Sequence, residues 1–375
     1  MSAMATPALF TPFTMRGVTL KNRIVVSPMC QYLAVEGQPG DWHMAHHGRL
    51  ALGGVGAAIL EATAVTRDGR ITHGCTGLWE DAQIAPMARI TALYKAHGVV
   101  PGVQIGHAGG KAATQRPWEG AGPLPEDGPE PAWEIIGPSA VKIRSNFRTP
   151  RPVTVAEIAG LVAAFGQAAK RAVAAGFEII ELHGAHGYLL HSFMSPLTNQ
   201  RTDDYGGSLA NRMRLALECA AEVRRSVPAH IVVAYRASVV DNLDGGITVD
   251  DSIQLAAELK RLGIDLIDCS AGGIALPVSL LPHKVEHGFQ APLADAVRQG
   301  AGLATMAVGL ITDPIKANAI VASGQADLVA LGRELLADPN WPYHAAVALG
   351  LDKPESVLPM QYGFYLERRA AAQGR

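Results

Sequence analysis

Cysteine is scarce in this chain and nowhere clustered. Four thiols (Cys30, Cys75, Cys219, Cys269) are scattered over 375 residues without a CxxC pair. That argues against a zinc ribbon, a cysteine-held iron–sulfur cluster or a disulfide scaffold, and fits a cytoplasmic protein. Long apolar runs are missing as well, none approaching the roughly 18–20 residues of a membrane helix. An excess of one charge is also absent: the formal net charge is −2 and the pI about 6.7. An extended nucleic-acid-binding face is therefore not expected. The opening stretch MSAMATPALFTPFTMRG has no apolar core followed by a cleavage site, so no secretion signal is read there.

What is present is the composition of a globular protein, 48% apolar and 18% charged, with 40 glycines. Tight turns, or backbone that approaches a ligand, account for that much glycine. Eight short apolar, β-rich runs stand out: 23–29, 56–62, 99–105, 177–183, 231–236, 264–270, 303–308 and 326–332. Such runs read as strands buried on both faces. Between most of them lie amphipathic stretches such as TVAEIAGLVAAFGQAAKRAVAAG and VDDSIQLAAELKRLG, each ending at glycine as helices do. Eight strands alternating with helices predict a single α/β domain over 1–375, a (β/α)8 barrel. A doubly wound sheet is the alternative, but its glycine fingerprint after the first strand is missing. GGVGAAI precedes a strand instead of opening a helix, and GHAGGKA lacks the first glycine and the Ser/Thr of a phosphate loop.

One segment, 107–151, breaks the rhythm with proline, glycine and tryptophan. A loop of that length inside a compact domain is usually functional. It follows the third barrel strand, so it is expected to lie over the C-terminal face as an active-site lid. Polar residues at strand ends are the catalytic candidates in such a barrel: Cys30, Glu61, Gln104, His183 with His186, Arg236, Ser270, Gly309 and Gly332 with Arg333. With few carboxylates, this set suits a planar heterocycle bearing carbonyls, ring nitrogens and a phosphate better than a metal. Gln104 can donate and accept along such an edge, and Arg236 can balance negative charge there. Gly309, Gly332 and Arg333 follow strands seven and eight, where these barrels bind phosphate. Taken alone, ELHGAHGYLL (181–190) admits three readings: a metal site with His191 as third ligand, an acid/base device, or packed histidines.

The segments SPMCQY (27–32), EATAV (61–65), QIGHAGGKA (104–112), ELHGAHGYLLHSFMSPLTNQRTDDYGGS (181–208), DLIDCSAGG (265–273), AVGLIT (307–312) and ADLVALGRELLADP (326–339) remove that ambiguity. Together they resemble the Old Yellow Enzyme family, in its thermophilic-like branch, over nearly the whole chain. The resemblance implies an NAD(P)H-dependent ene-reductase with tightly bound, non-covalent FMN and NADPH or NADH as reductant. It further implies that Ser27, Pro28, Met29 and Cys30 line the flavin, that Ala62 and Gln104 meet its pyrimidine side, and Arg236 its N1/O2 region. Gly309, Gly332 and Arg333 would hold the phosphate, His183 and His186 the oxygen of the substrate's activating group. Tyr188 matches the proton donor and Tyr32 a second substrate-side tyrosine. Hydride would pass from flavin N5 to the β-carbon of an alkene activated by a carbonyl or nitro group, with no metal involved.

Cys30 stands where other branches carry threonine, and is expected to tune the flavin and the substrate fit rather than act as a nucleophile. The tail, 356–375, is expected to reach a partner subunit in a homodimer or higher homo-oligomer, Tyr365 occupying the place of an aromatic finger. Two features are set aside: NQRTDDYGGSLANRMR as a structural turn, and Lys111, for which a solvated loop lysine is an equal explanation.

Overall fold

The computed structural model describes residues 6–274 and 288–374. The first five residues of the N-terminal stretch and the last residue of the tail lie outside the described residues. Two short strands, β1 (Phe13–Met15) and β2 (Val18–Leu20), form an antiparallel hairpin. Eight strands then close a parallel barrel: β3 (Ile24–Val26), β4 (Ala57–Ala64), β5 (Val100–Gly106), β8 (Ile179–Gly184), β9 (Val232–Ser238), β10 (Leu266–Ser270), β11 (Ala304–Val308) and β12 (Leu328–Leu331). Each lies within or across one of the eight apolar runs. The remaining pair, β6 (Ile136–Gly137) and β7 (Arg151–Pro152), belongs to the long segment after β5.

Helices alternate with these strands. They are α1 (Asp41–Ala51), α2 (Ile84–Ala96), α3 (Val155–Ala174), α4 (Leu189–Met194), α5 (Leu209–Ser226), α6 (Val249–Arg261), α7 (Ala291–Ala301), α8 (Pro314–Ala322), α9 (Arg333–Ala337), α10 (Trp341–Ala348) and α11 (Met360–Ala372). Local chemistry sets their ends. Thr154 Oγ1 accepts from Glu157 N–H while Glu157 accepts from Thr154 N–H, a reciprocal cap that starts α3. Gly176 and Gly263, at φ +91° and +86°, end α3 and α6 in the left-handed conformation that glycine adopts without a Cβ penalty.

Strand alternation sends one set of side chains outward against the helices and the other into the barrel. Val25, Ala57, Ile59, Val100, Ile179, Val232, Leu266 and Leu328 fill the lower interior, where Met15, Val18 and Leu20 of the hairpin pack against them. The hairpin thus plugs the N-terminal mouth. One layer higher the interior turns polar, with Gln104, Glu181, Arg236 and Asp268 all buried. Each valine, isoleucine or leucine below contributes about 1.5–3 kcal/mol by burial.

β4 departs from regular pairing between Leu60 and Thr63. The bulge turns Glu61 toward α1, where His43 Nε2 lies 3.3 Å from its Oε1. It leaves Ala62 half-buried, lining a small pocket with His183 and Tyr188.

Candidate active site

The polar strand ends converge at the C-terminal rim. His183 ends β8, and His186 and Tyr188 follow in its loop. The His183 ring centroid lies 5.2 Å from that of His186 and 4.7 Å from that of Tyr188, both nearly edge-on. Ala185 N–H donates to His183 Nδ1 at 3.3 Å, so the ring proton of a neutral His183 sits on Nε2. His186 Nε2 lies 2.7 Å from Ser270 Oγ at the end of β10. Burial, and then the Arg236 charge, hold the pKa of each histidine well below its ordinary value. Both rings are therefore uncharged at neutral pH. Burial likewise drives the Tyr188 hydroxyl far above the usual tyrosine range, so it stays protonated.

Segment 27–32 runs from the end of β3 along the same rim. Ser27 is buried, while Pro28, Met29, Cys30 and Tyr32 are half-buried. Tyr32 has φ +54°, a left-handed backbone that non-glycine residues seldom adopt. Gln31 N–H is fastened to Glu61 Oε2 at 2.9 Å, so the bulge in β4 anchors this stretch. Burial, assisted by the Glu61 carboxylate, raises the pKa of Cys30 well above the ordinary thiol value, which keeps it a thiol.

Below the rim, Gln104 Nε2 donates to Glu181 Oε1 at 2.8 Å. Arg236 Nε lies 3.1 Å from Asp268 Oδ2, and its Nη1 donates to Ser27 Oγ at 3.3 Å. A cavity of about 480 Å³ opens over this group, lined by Ser27, His186, Arg236 and Ser270 on one side and by Gly309, Gly332 and Arg333 on the other. Gly309 has φ +119°, and a Cβ there would sit 2.9 Å from Phe289. Gly332 is the N-cap of α9. A cleft with a buried guanidinium at one end, and glycine backbone with a second arginine at the other, fits a flat heterocycle carrying a phosphate.

Segment 107–151 packs over this face. Ala108, Ala112, Ala113, Leu124 and Ile135 form a small apolar cluster against which Tyr188 rests. Arg116 Nε donates to Tyr32 O at 3.1 Å, and Trp118 meets the Tyr32 ring at 5.9 Å. Tyr365 is not part of this cluster: it is 71% exposed on α11 and touches Phe364.

At two residues the structure decides what the sequence alone left open. Lys111 is no solvated loop lysine. It is buried, and its Nζ donates to His186 O and, at 2.5 Å, to Gly273 O. Burial, with Arg144 nearby, lowers its pKa to about 7. Nothing in the local sequence marks it, because the carbonyls that take its protons come from the loops after β8 and β10. His191 is turned away from His183 and His186, with Nδ1 accepting from Gly187 N–H and Nε2 against Asp241. Glu181, Asp268 and Asp241 were also missed: Glu181 and Asp268 lie in strands that read as apolar runs, and Asp241 lies in the loop after β9, so their inward carboxylates are visible only once the barrel closes.

The fold and this rim define a (β/α)8-barrel enzyme whose polar groups gather at the C-terminal face. Comparison with known proteins narrows the class. Residues 8–352 match the NADH:flavin oxidoreductase / NADH oxidase family. The NADPH dehydrogenase of Geobacillus sp. (strain WCH70) is 43% identical over 351 residues, 93% of this chain and 96% of that protein. The NADPH dehydrogenase of Bacillus subtilis (strain 168) is 41% identical, covering 94% and 98%. Among solved structures, morphinone reductase in complex with tetrahydroNAD superposes with a TM-score of 0.75 at 26% identity, covering 92% of this chain and 91% of that one. The chain belongs to the NADH:flavin oxidoreductase / NADH oxidase family, that of the Old Yellow Enzymes. It is an oxidoreductase whose flavin is FMN and whose reductant is NAD(P)H. None of its described helices is long and apolar enough to cross a membrane.

Proposed function

We propose that the protein is an ene-reductase, reducing C=C bonds activated by a carbonyl or nitro group, as in enones, maleimides and nitroalkenes. The observation that carries this reading is the uncharged His183/His186 pair beside a protonated Tyr188. FMN bound in the 480 Å³ cleft supplies the hydride that NAD(P)H brings. Ser27, Pro28, Met29 and Cys30 would line its ring, Ala62 and Gln104 would face its pyrimidine side, and Arg236 would balance its negative charge. Gly309, Gly332 and Arg333 would take the phosphate.

The chain's own groups then do the rest. His183, with its proton on Nε2, and His186 donate to the oxygen of the activating group, where negative charge develops as the β-carbon is reduced. An oxyanion donor of this kind is worth roughly 2.7–4 kcal/mol. Tyr188 gives its proton to the α-carbon, and Tyr32 borders the substrate. Segment 107–151 acts as a lid, since its apolar cluster shields Tyr188 from water.

A homodimer or larger homo-oligomer accords with α11. Met360, Tyr362, Phe364 and Tyr365 are all exposed around it, apolar surface that a second copy would cover, carrying Tyr365 toward a neighbouring site. Four unpaired cysteines suit the reducing cytoplasm.

An anaerobic visible spectrum tests the reading. Flavin absorbance should bleach with NADPH and return with 2-cyclohexenone. Bleaching without return would leave the family assignment intact and overturn the enone assignment.

A further inference from the structure

The loop that carries His186 and Tyr188 has a backbone that does not hold itself. His186 and Gly187 are successive left-handed residues, at φ +60° and +76°. For a residue with a Cβ that conformation costs roughly 1–2 kcal/mol. Position 187 has no room for one, because a Cβ would lie 2.6 Å from Gly273 O. The shape is imposed from outside. His186 N–H donates to Ser238 Oγ at 3.0 Å, and Ser192 Oγ donates to Gly187 O at 3.0 Å. The Gly187 N–H, in the peptide that joins the two working residues, donates to His191 Nδ1 at 2.7 Å.

That last bond needs one tautomer. If Nδ1 accepts, the proton of the neutral ring is on Nε2, which lies 2.8 Å from Asp241 Oδ1. Asp241 is built to enforce this. Its other oxygen accepts from Ser195 Oγ at 2.7 Å and from Ile247 N–H at 2.9 Å, so three donors converge on one buried carboxylate. Burial opposes the charge, but the bonds from His191, Ile247 and Ser195 outweigh it and lower the pKa of Asp241. The chain of contacts runs from the loop after β9, through α4, into the loop after β8. No step of the chemistry above uses it.

We infer that Asp241, acting through His191, is the positioning residue that fixes the Gly187 peptide and with it the aim of His186 and Tyr188. The inference rests on the roles given to those two side chains under the proposed function. Its physical content is separable: Asp241 sets the His191 tautomer, and the tautomer sets the loop.

Asp241→Asn tests it on the FMN holoenzyme. An amide offers a donor where three donors already point, so one bond fails and His191 is free to turn its N–H against Gly187 N–H. Hydrogen exchange should accelerate within residues 184–192 while the rest of the barrel is unchanged. Reoxidation of the reduced enzyme by 2-cyclohexenone should slow about 10–100-fold, the usual cost of an orienting partner. FMN content and flavin spectrum should stay at wild-type values, while the melting temperature falls by a few degrees as one buried hydrogen bond is lost. His191→Phe, which keeps a ring but offers neither acceptor nor donor, should reproduce the pattern. The double variant should be no slower than the worse single one, because both changes cut the same link.

Unchanged exchange in 184–192, exchange that accelerates throughout the barrel, or a loss of FMN that accompanies any slowing, overturns the inference. Additive effects in the double variant overturn it too. Tyr188→Phe run beside them keeps the two readings apart. If that variant is not slowed, the role of Tyr188 fails, and the exchange measurement still decides whether Asp241 holds the loop.

Discussion

Arg236, which lines the cleft, and Asp268 behind it are a buried ion pair, their Nε and Oδ2 atoms 3.1 Å apart. Burial raises the pKa of Asp268, and Arg236 opposes that rise. The guanidinium that faces the cleft is therefore partly balanced from behind. Asp268→Asn removes the balancing charge and leaves the arginine in place. The flavin midpoint potential should then rise by roughly 30 mV, equivalent to about 1.4 kcal/mol for a two-electron couple. Spectroelectrochemical titration of the two proteins measures it, and an unchanged or lower potential contradicts the pairing.

Tyr188→Phe keeps the ring that packs on His183 and removes only the hydroxyl. Reoxidation by 2-cyclohexenone should slow about 10²–10⁴-fold, the usual range for lost general-acid assistance. Reduction by NADPH needs no proton from this residue and should change little. Stopped-flow measurement of the two half-reactions separates these effects.

Because burial lowers the pKa of both His183 and His186, neither gains a proton as the pH falls from 8 to 6. Enone turnover should show no limb from these residues across that interval. His186→Ala should cost roughly 10²–10³ in turnover, as loss of one oxyanion donor does. Dialysis against a chelator should leave the rate unchanged. A loss of activity on dialysis that zinc restores would reopen the metal reading of the pair.

Lys111 connects stability to pH. Its pKa is lowered from 10.5 to about 7 on folding, by burial first and Arg144 second. Between those values the folded protein has released a proton that the unfolded chain still binds, so this group adds stability as the pH rises from 7 toward 10.5. Below 7 the cost of the buried ammonium is fully present. Lys111→Met abolishes the linkage. The unfolding free energy of the wild type, relative to that variant, should climb between pH 7 and pH 10 in denaturant titrations, with a limiting slope of about 1.4 kcal/mol per pH unit. A flat difference would show that folding does not lower the pKa of Lys111.

Gly184, the last residue of β8, has no space for a methyl group. A Cβ would stand 2.0 Å from the ring and hydroxyl of Tyr235. Gly184→Ala must shift one strand or the other, a strain of about 1–3 kcal/mol. Its melting temperature should fall by several degrees, and an unchanged value would mean that the Tyr235 ring swings aside without cost.

Much of this was legible in one dimension. The eight apolar runs marked the eight barrel strands because a strand covered on both faces must be apolar at nearly every position, and that is a local property. The long segment without periodicity stood out for the same reason. The candidates at strand ends followed from a rule of the fold, since every strand of a parallel barrel delivers its C-terminus to one rim. Residues whose partners come from other strands were not legible. The role of Lys111 stayed open because its acceptors, His186 O and Gly273 O, are 75 and 162 residues away along the chain. Glu61 looked like one more strand end, and only the bulge in β4 turns it outward to His43 while it anchors Gln31.

The sequence by itself determined the barrel, its cofactor class and the group of side chains at its mouth, through hydrophobic periodicity and motifs that are local in the chain. Tertiary structure alone decided which of those groups are charged and where their protons sit. The pKa of Lys111, the neutrality of His183 and His186 and the tautomer of His191 depend on desolvation and on hydrogen-bond partners. Both are set by what closure of the barrel brings within a few ångströms, and no spacing along the sequence encodes that distance.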